Sequence, residues 1–283
     1  MEKISAAELE KFIKEALYED IRDGDHTSLA CVPADAFGTA KLLVKDNGVI
    51  AGVEIARKIF EYAVPDMQMN VHIKDGSNVK PGDIAFEVYM PSQAILKTER
   101  VVLNTMQRMS GIATMTRLFV DKVADLPVQI LDTRKTTPLL RFLEKLAVRT
   151  GGGTNYRDGL YDRIMIKDNH VDFCGSIELA IKKAHQYLKE KQLDLKITVE
   201  VRNLNELEQT MKVGGIERIM LDNFDSETMR KAVKIIDKQF EVEASGGITL
   251  DTVRSYAETG VDFISVGALT HSFKSLDLSL KKK

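Results

Sequence analysis

The 283-residue sequence has little cysteine, almost no net charge and no long run of apolar residues. Its two cysteines, Cys31 and Cys174, lie far apart and lack metal-binding spacing, which is typical of reduced thiols in a cytosolic protein. A formal net charge of -2 provides no basic field for nucleic acid or an anionic membrane. No stretch reaches the roughly 18 apolar residues of a membrane span, and the N-terminus shows no secretory pattern. We therefore expect a cytoplasmic protein without nucleic-acid or membrane partners.

The first part of the chain, up to about residue 95, has the pattern of a small α+β layer. Ser5 and Glu8 have the spacing of a capping box, which predicts the start of a helix. Strand-like segments separated by glycine turns follow at 40–44, 49–53, 69–73 and 83–88, with one helical pattern at 54–64. A long helical region runs from about 95 to 124, with a predicted break near Ser110-Gly111.

From residue 128 onward, six short apolar runs alternate with amphipathic helices. The runs are at 128–131, 164–166, 197–201, 219–221, 240–244 and 263–266, and helical patterns lie at 176–191, 204–213, 226–238 and 250–259. This alternation predicts a parallel sheet, and six units favour an incomplete αβ barrel over the alternative, a doubly wound open sheet. In such a barrel, functional groups collect where the strands end.

The predicted strand ends carry charged residues suited to anions and to a hard metal ion. Arg134, Lys135 and Lys167 follow the first two strands, and together with Arg157 they supply more cationic donors than one phosphate needs. Glu200 and Asp222 lie on neighbouring strands and offer the oxygen ligands that Mg²⁺ prefers. Each signal alone has a structural explanation, such as a surface ion pair or a helix N-cap. Together they indicate a polyanionic acceptor and a divalent metal.

Small residues follow the last two predicted strands. Ser245-Gly246-Gly247 and Gly267-Ala268 allow backbone N–H groups to approach an anion, at the strand ends where barrels often bind phosphate. A glycine pair between strand and helix is by itself more often a tight turn, and His271 alone is more often a structural histidine. Combined with the charged strand ends, the turns predict a phosphosugar ligand.

Several separated motifs, in unbroken order from about Glu19 to the C-terminus, are similar to those of the quinolinate phosphoribosyltransferase family. They are DTRKTTP at 132–138, RTGGG at 149–153, IKDNH at 166–170, ER at 99–100, SGIAT at 110–114, EV at 200–201, LDN at 221–223, SGGI at 245–248 and SVGALTH at 265–271. The resemblance implies an α/β fold with an N-terminal α/β sandwich domain (1–110) and an open, incomplete parallel αβ barrel of the phosphoribosyltransferase type (111–270). Residues 271–283 are expected to pack back on the first domain.

The resemblance also implies the activity: transfer of phosphoribosyl from phosphoribosyl pyrophosphate to quinolinate with decarboxylation, giving nicotinate mononucleotide for NAD biosynthesis. Mg²⁺ is the implied cofactor, without an organic one, in a homodimer or hexamer with shared active sites. By this likeness Arg134, Tyr156, Arg157 and Lys167 belong to the pyridine dicarboxylate pocket. Arg100 is expected to reach into the site of the neighbouring subunit.

The donor site implied by the resemblance includes three predicted catalytic residues. Lys135 is expected beside the transferring ribose and pyrophosphate, together with Thr136, and Glu200 and Asp222 are expected to engage ribose hydroxyls and Mg²⁺. The residues expected around the 5'-phosphate and the donor are Ser245, Gly246, Gly247, Val266, Gly267, Ala268 and His271.

The chain departs from the family pattern at one position, where the usual Asn-His-Arg is replaced by Asn155-Tyr156-Arg157. Tyrosine can donate a hydrogen bond but does not become cationic near neutral pH. Two interpretations are open at this stage. Either the exchange is tolerated with the same substrate, or it weakens or changes the acceptor preference, and Tyr156→His then improves the use of quinolinate.

Three other functions compete with this assignment. The nearest is a related phosphoribosyltransferase that acts on another pyridine or aromatic acid. A more distant enzyme is a class I-type aldolase with Lys167 as its Schiff base. A phosphosugar-binding protein without activity is disfavoured, because the residues expected around ribose and metal are all present.

Overall fold

The computed structural model describes residues 5–283. Its strands are β1 (Phe37–Val44), β2 (Gly48–Val49), β3 (Gln68–Val71), β4 (Asn78–Val79), β5 (Ile84–Pro91), β6 (Gln129–Leu131), β7 (Ile164–Ile166), β8 (Ile197–Val201), β9 (Arg218–Asp222), β10 (Glu241–Ser245), β11 (Phe263–Ser265) and β12 (Leu278–Lys282). Its helices are α1 (Ala6–Ile21), α2 (His26–Cys31), α3 (Val53–Ala63), α4 (Ser92–Lys122), α5 (Arg141–Thr150), α6 (Asp168–Cys174), α7 (Ile177–Lys191), α8 (Leu204–Val213), α9 (Ser226–Ile236), α10 (Val253–Ala257) and α11 (Ala268–His271).

These elements belong to two compact units. The first comprises residues 5–117 together with Phe142–Gly152 and Phe273–Lys283, and the second comprises Leu118–Arg141 and Gly153–Ser272. The domain limits expected from the sequence, 1–110 and 111–270, differ from this division by contacts and stay a prediction. No helix formed by residues 5–283 is long and apolar enough to cross a bilayer.

The first unit is built on a four-stranded antiparallel sheet in the order β12-β1-β5-β3. Alternate residues of β1 and β5 face the core, where Leu42 and Phe86 are fully buried. The ring of Phe60 on α3 meets Phe86 edge-on at a centroid distance of 6.0 Å. The C-terminal strand β12 pairs along β1, with Leu280 opposite Leu42, so the last residues of the chain complete this sheet.

The expected strands and helix of this region are largely confirmed, with two corrections. The segment predicted at 49–53 is extended only at Gly48–Val49, because Gly52 adopts a positive φ of 94° and α3 begins at Val53. The capping box is also wrong: Ser5 precedes α1, but its hydroxyl caps no N–H group of the described helix. The Ser5 carbonyl oxygen instead accepts the N–H of Leu9 at 3.1 Å.

The predicted break at Ser110-Gly111 is also wrong, since α4 is continuous over 31 residues. The Ser110 hydroxyl donates to the carbonyl of Ala51 at 3.1 Å and accepts the N–H of the same residue at 2.9 Å. A Cβ atom on Gly111 would overlap the carbonyl oxygen of Lys274 and lie 2.9 Å from the Phe273 ring. Both residues therefore serve close packing against other segments of the first unit rather than a helix break.

The second unit contains a six-stranded parallel sheet in the order β6-β11-β10-β9-β8-β7. The described strands follow one another around the sheet in chain order from β7 to β11, and the first strand, β6, lies beside the last. This is the order of a barrel interrupted between β6 and β7, whereas a doubly wound sheet reverses its strand order. The expected α/β fold with an incomplete parallel barrel is confirmed.

Polar side chains begin three of the helices that follow the barrel strands. Ser176, Asn203 and Asp225 accept N–H groups in the first turns of α7, α8 and α9, respectively. Such N-caps typically contribute about 1 kcal/mol each and fix the point at which a strand-to-helix turn ends. The turns after β8 and β9 are therefore short and defined, which positions the residues at the strand ends.

We predict that Gly111→Ala destabilises the protein by about 1–3 kcal/mol, because the added methyl group overlaps the Lys274 backbone. Helix propensity alone predicts the opposite sign, since alanine is favoured over glycine by about 1 kcal/mol in a helix interior. The control is Asn104→Ala at an exposed position of the same helix, where a gain of about 0.5 kcal/mol is expected. Urea unfolding measures both, and a Gly111→Ala protein as stable as wild type would contradict the close-packing explanation.

Candidate active site

The carboxyl ends of the parallel strands bring most of the predicted site residues to one edge of the barrel sheet. Lys167 follows β7 directly, Glu200 is the penultimate residue of β8, and Asp222 is the last residue of β9. Ser245 ends β10 and pairs in register with Asp222. Because all six strands run in the same direction, these groups share the edge at which parallel αβ barrels carry their chemistry.

A cation and two carboxylates form the middle of this edge. The Lys167 ammonium lies 3.4 Å from a Glu200 carboxylate oxygen, and the Glu200 side chain is almost fully buried. Burial is the main cause that raises the pKa of Glu200, and the nearby Asp222 carboxylate raises it further, while Lys167 opposes the change. On balance the pKa of Glu200 is raised, so its surroundings disfavour the charged carboxylate, which is typical of functional sites.

The turn after β10 depends on glycine. Gly246 has a φ of 102°, and a Cβ atom there would lie 2.7 Å from the backbone nitrogen of Asn223. The Asn223 N–H donates to the carbonyl of Ser245 at 2.9 Å, which holds the ends of β9 and β10 together. At Gly247, also with positive φ, a Cβ would meet no atom of the described chain within 4 Å. The backbone of this turn is therefore closely packed at Gly246 and open at Gly247.

The turn after β11 brings Lys135 and His271 together. A Cβ atom on Gly267 would lie 2.9 Å from Lys135 Cδ and 3.0 Å from His271 Nε2, so both side chains lie against this glycine. The Thr270 hydroxyl donates to the Lys135 carbonyl at 2.8 Å. Val266 is buried, so only its backbone is available to a ligand, and its N–H donates to the Leu131 carbonyl at 3.0 Å.

Two arginines carry buried nitrogen atoms without partners. The Nε atoms of Arg134 and Arg157 are buried and have no hydrogen-bond partner among the described residues. The pKa of Arg157 is lowered, first by burial and then by the like charge of Arg134. Two guanidinium groups held near each other in this way are stabilised by a bound anion, because it satisfies the donors and screens the repulsion.

The segment that carries Arg157 is fixed by a buried carboxylate. Asp132 is fully buried after β6, and its carboxylate accepts the backbone N–H of Tyr156 at 2.9 Å and the side-chain amide of Asn155. The motif that begins with Asp132 and the motif that contains Arg157 are therefore joined directly. Thr136 lies in the same motif, and its hydroxyl accepts from Arg141 Nε at 3.0 Å.

Comparison with known proteins assigns the chain to a family. The family model described as quinolinate phosphoribosyl transferase, C-terminal domain, matches residues 112–281, and the N-terminal domain model matches residues 25–110. The chain belongs to the quinolinate phosphoribosyltransferase family. The family, and with it the enzyme class expected from the motifs, is confirmed.

Relatives agree along the whole chain. A probable carboxylating nicotinate-nucleotide pyrophosphorylase of Bacillus subtilis is 44% identical, over 96% of this chain and 93% of that protein. The chloroplastic carboxylating nicotinate-nucleotide pyrophosphorylase of Arabidopsis thaliana is also 44% identical, over 97% of this chain and 82% of that protein. The crystal structure of NadC from Streptococcus pyogenes has a TM-score of 0.93 at 35% identity and covers both chains fully. The nicotinate-nucleotide pyrophosphorylase of Francisella tularensis gives 0.92 at 35% identity, over 99% of this chain and 98% of that one.

Two predicted site residues of this quinolinate phosphoribosyltransferase homologue are not at the strand ends. Arg100 lies on α4 in the first unit, is exposed, and contacts Glu99 at 3.3 Å. Its expected role in a neighbouring subunit stays a prediction. Tyr156 is directed into the barrel, where its hydroxyl bonds to Thr198 at 2.8 Å. Burial, and then the Glu243 carboxylate, raise the pKa of Tyr156 to about 12, so the phenol is neutral.

Sequence reasoning missed several residues that fix the geometry of this site. The motif at 132–138 does not predict the hydrogen bond from the Tyr156 N–H to Asp132. The buried ion pair of Arg218 with Glu243, at 3.2 Å, was not predicted either. One signal was available, since Glu241 and Glu243 place charges at alternate positions of β10, and Arg218 places a charge at the start of the neighbouring β9. Charges at such positions must be paired inside the protein.

The carboxylates at the strand ends fit the expected metal. Within residues 5–283, no group of three or more His, Cys, Asp or Glu side chains is arranged to hold a metal ion. Glu200 and Asp222 nevertheless lie close enough for the charge of Asp222 to raise the pKa of Glu200. Mg²⁺ commonly takes one or two carboxylates and completes its shell with substrate oxygens and water, so a pair of this kind suits it.

We predict that Glu200→Gln stabilises the protein at neutral pH. A carboxyl whose pKa is raised by folding contributes stability that is present at low pH and lost as the pH rises through its folded pKa. The advantage of the glutamine variant should therefore be largest at pH 7 and shrink toward pH 4, where the glutamate is protonated. Thermal unfolding at several pH values measures this, with Glu208→Gln at an exposed position of α8 as the control. A variant less stable than wild type at pH 7 would show that the Lys167 contact dominates instead.

Proposed function

We propose that the chain transfers the phosphoribosyl group of phosphoribosyl pyrophosphate to quinolinate and releases carbon dioxide, a step of NAD biosynthesis. The observation that carries the proposal is the pair of buried Nε atoms of Arg134 and Arg157, which have no hydrogen-bond partner within residues 5–283. The relatives from Bacillus subtilis and Arabidopsis thaliana, each 44% identical, are named for the corresponding carboxylating reaction. The products are nicotinate mononucleotide, pyrophosphate and carbon dioxide.

The acceptor is selected by charge and by the geometry of its carboxylates. A guanidinium fork binds a carboxylate through two parallel hydrogen bonds. Two such forks, with the Lys167 ammonium, match a ring that bears two neighbouring carboxylates better than a ring that bears one. We assign Arg134, Arg157 and Lys167 to the pyridine dicarboxylate, and this assignment distinguishes quinolinate from nicotinate.

We assign the donor to the part of the strand-end edge formed by β8, β9, β10 and β11. Glu200 and Asp222 are suited to the ribose hydroxyls, since carboxylates accept hydrogen bonds strongly. The turns formed by Ser245–Gly247 and Val266–Ala268 offer backbone N–H groups for the 5'-phosphate, except that of Val266, which donates to the Leu131 carbonyl. Lys135 and His271, which lie against Gly267, are placed to contact the donor beside that phosphate.

The reaction divides into two steps, each with a balanced flow of electrons. The pyridine nitrogen attacks the anomeric carbon while the bond to pyrophosphate breaks, through a centre with oxocarbenium character. Cations beside the donor, Lys135 in particular, stabilise the charge on the leaving group. The alkylated ring nitrogen is then cationic, so the electrons of the bond to the C2 carboxylate pass into the ring as carbon dioxide leaves. A proton from solvent replaces the carboxylate at C2.

Mg²⁺ is the proposed cofactor, and Glu200 and Asp222 would hold it. When bound, it neutralises charge on the pyrophosphate and so favours departure of the leaving group. No organic cofactor is proposed, because the alkylated pyridine ring itself accepts the electrons of decarboxylation. The cytoplasmic location and the homodimer or hexamer remain predictions from the sequence.

The proposed function predicts product from quinolinate and none from nicotinate. The assay offers each acid with phosphoribosyl pyrophosphate and Mg²⁺, and follows mononucleotide and carbon dioxide in parallel. We expect equal amounts of the two products with quinolinate, and loss of turnover when Mg²⁺ is chelated. Lys167→Met is the control for the site, since it keeps the side-chain length and removes the charge. Product from another pyridine or aromatic acid, with none from quinolinate, would favour the related phosphoribosyltransferase instead.

The proposed sharing of sites predicts the activity of a mixed dimer. A dimer of one Arg100→Ala chain and one Lys167→Ala chain retains one complete site if Arg100 acts in the neighbouring subunit. We expect each homodimer to be inactive and the mixed dimer, isolated through two affinity tags, to have about half the activity of wild type. An inactive mixed dimer would place Arg100 outside the partner's site.

A further inference from the structure

Tyr156 is enclosed by the inner face of three neighbouring strands. Its hydroxyl lies 2.8 Å from the Thr198 hydroxyl on β8. The guanidinium carbon of Arg163, just before β7, is 5.3 Å from the centre of its ring, and that of Arg218 at the start of β9 is 4.7 Å away. Both distances suit cation–π attraction, which favours a neutral aromatic ring at this position.

The partners of Tyr156 lie below the residues assigned to the substrates. Thr198 precedes Glu200 by two residues on β8, and Arg218 precedes Asp222 by four residues on β9. Residues two apart in a strand share one face, separated by about 6.6 Å along the strand. The Tyr156 hydroxyl therefore reaches a layer one step beneath the Glu200 carboxylate, away from the carboxyl ends of the strands.

That lower layer is a closed network of paired charges. Arg218 is 5% exposed and binds Glu241 at 2.7 Å and Glu243 at 3.2 Å. The guanidinium carbon of Arg218 also lies 3.7 Å from the ring centre of Phe263, the first residue of β11. Glu243 is fully buried and also accepts the hydroxyl of Ser265. Because each charge in the layer has a partner, the layer is a rigid support for the Tyr156 ring.

Tyr156 is also tied to the upper layer through its backbone. Its N–H donates to the buried Asp132 carboxylate at 2.9 Å. The next residue is Arg157, whose buried Nε has no partner among the described residues. With the ring and the backbone of Tyr156 both fixed, the direction of the Arg157 side chain is restricted at its base.

We propose that Tyr156 is a positioning residue of the acceptor site: its ring, held by Thr198 and two guanidinium groups, sets the direction of Arg157 and does not itself touch the acceptor. The inference deepens the proposed function and rests on it, since it concerns the same dicarboxylate pocket. It also decides between the two interpretations of the Asn-Tyr-Arg segment. The tyrosine supports acceptor binding through packing, so a histidine at this position brings no advantage.

The charges around position 156 determine whether a histidine there would be protonated. An imidazole at position 156 would face the cations Arg163 and Arg218, with Glu243 already paired to Arg218 and Asp132 bound to the segment's amides. Burial and the two cations disfavour the charged form of imidazole, and the Glu243 carboxylate, which favours it, lies in the lower layer and not at the acceptor. The variant therefore gains no acceptor-binding charge, and it loses the hydroxyl contact with Thr198.

The test measures KM for each substrate and kcat in Tyr156→Phe, Thr198→Val and the double variant. Loss of one hydrogen bond predicts that KM for quinolinate rises about threefold to tenfold in each single variant. KM for phosphoribosyl pyrophosphate and kcat should stay within about twofold of wild type. The increase in KM of the double variant should be smaller than the product of the two single increases, because both substitutions remove the Tyr156–Thr198 bond. Thr198→Val also removes the 3.3 Å contact from Arg163, so the two single variants need not be equal. Tyr187→Phe, an exposed tyrosine on α7, is the matched control.

Tyr156→His adds a pH profile that separates positioning from direct contact. We expect its KM for quinolinate to exceed the wild-type value at both pH 6 and pH 8. A KM that falls below wild type at pH 6 would show a charged contact with the acceptor and overturn the inference, as would an unchanged KM in Tyr156→Phe. If the histidine variant does not fold, the phenylalanine and valine variants decide alone. Wild type without turnover on quinolinate overturns the proposed function itself, and that failure is seen before any variant is measured.

Discussion

Parallel pairing of β6 with β11 is the constraint on which the candidate site depends. It places the first strand of the second unit beside the last, so the motif at 132–138 meets the turn at 266–268 although more than a hundred residues separate them in the chain. The contacts of Lys135 with Gly267 and of Thr270 with the Lys135 carbonyl follow from this pairing. Without this pairing, Lys135 would not lie beside the turn that contains Gly267.

Within that barrel, two successive layers handle charge in opposite ways. In the lower layer each charge is paired, with Arg218 bound by two carboxylates and covered by two aromatic rings, although burial raises the pKa of its Glu243 carboxyl as well. The upper layer is less compensated: Arg134 and Arg157 oppose each other, and Glu200 lies near Asp222 with the half-exposed Lys167 as its ion-pair partner. Uncompensated charge costs stability, and it is concentrated where anions and a metal would be bound. The compensated layer keeps the strand ends fixed while the upper layer carries that cost.

The parts of the structure that could be predicted from the sequence are those set by local pattern. Alternation of apolar runs and amphipathic helices located the six barrel strands, and the polar residues at their ends located the groups of the site. The errors fall where tertiary contacts decide. Gly111 has the sequence signature of a break, but it serves the close approach of the Lys274 backbone inside a continuous helix. Likewise, Tyr156 could be seen as a departure from the family motif, whereas its direction depends on Thr198 and Arg218, which are distant in sequence.

The charge of the proposed acceptor explains why a neutral residue at position 156 is sufficient. Quinolinate carries two carboxylates, and Arg134, Arg157 and Lys167 together supply three positive charges, one of them shared with Glu200 at 3.4 Å. Two net positive charges then face two negative ones, so a fourth cation would add repulsion among the donors without a further carboxylate to bind. The pocket instead requires that the arginine side chains be restricted before binding, because their rotamer entropy opposes it. A rigid aromatic ring fixed at both ends supplies that restriction where an additional charge would not.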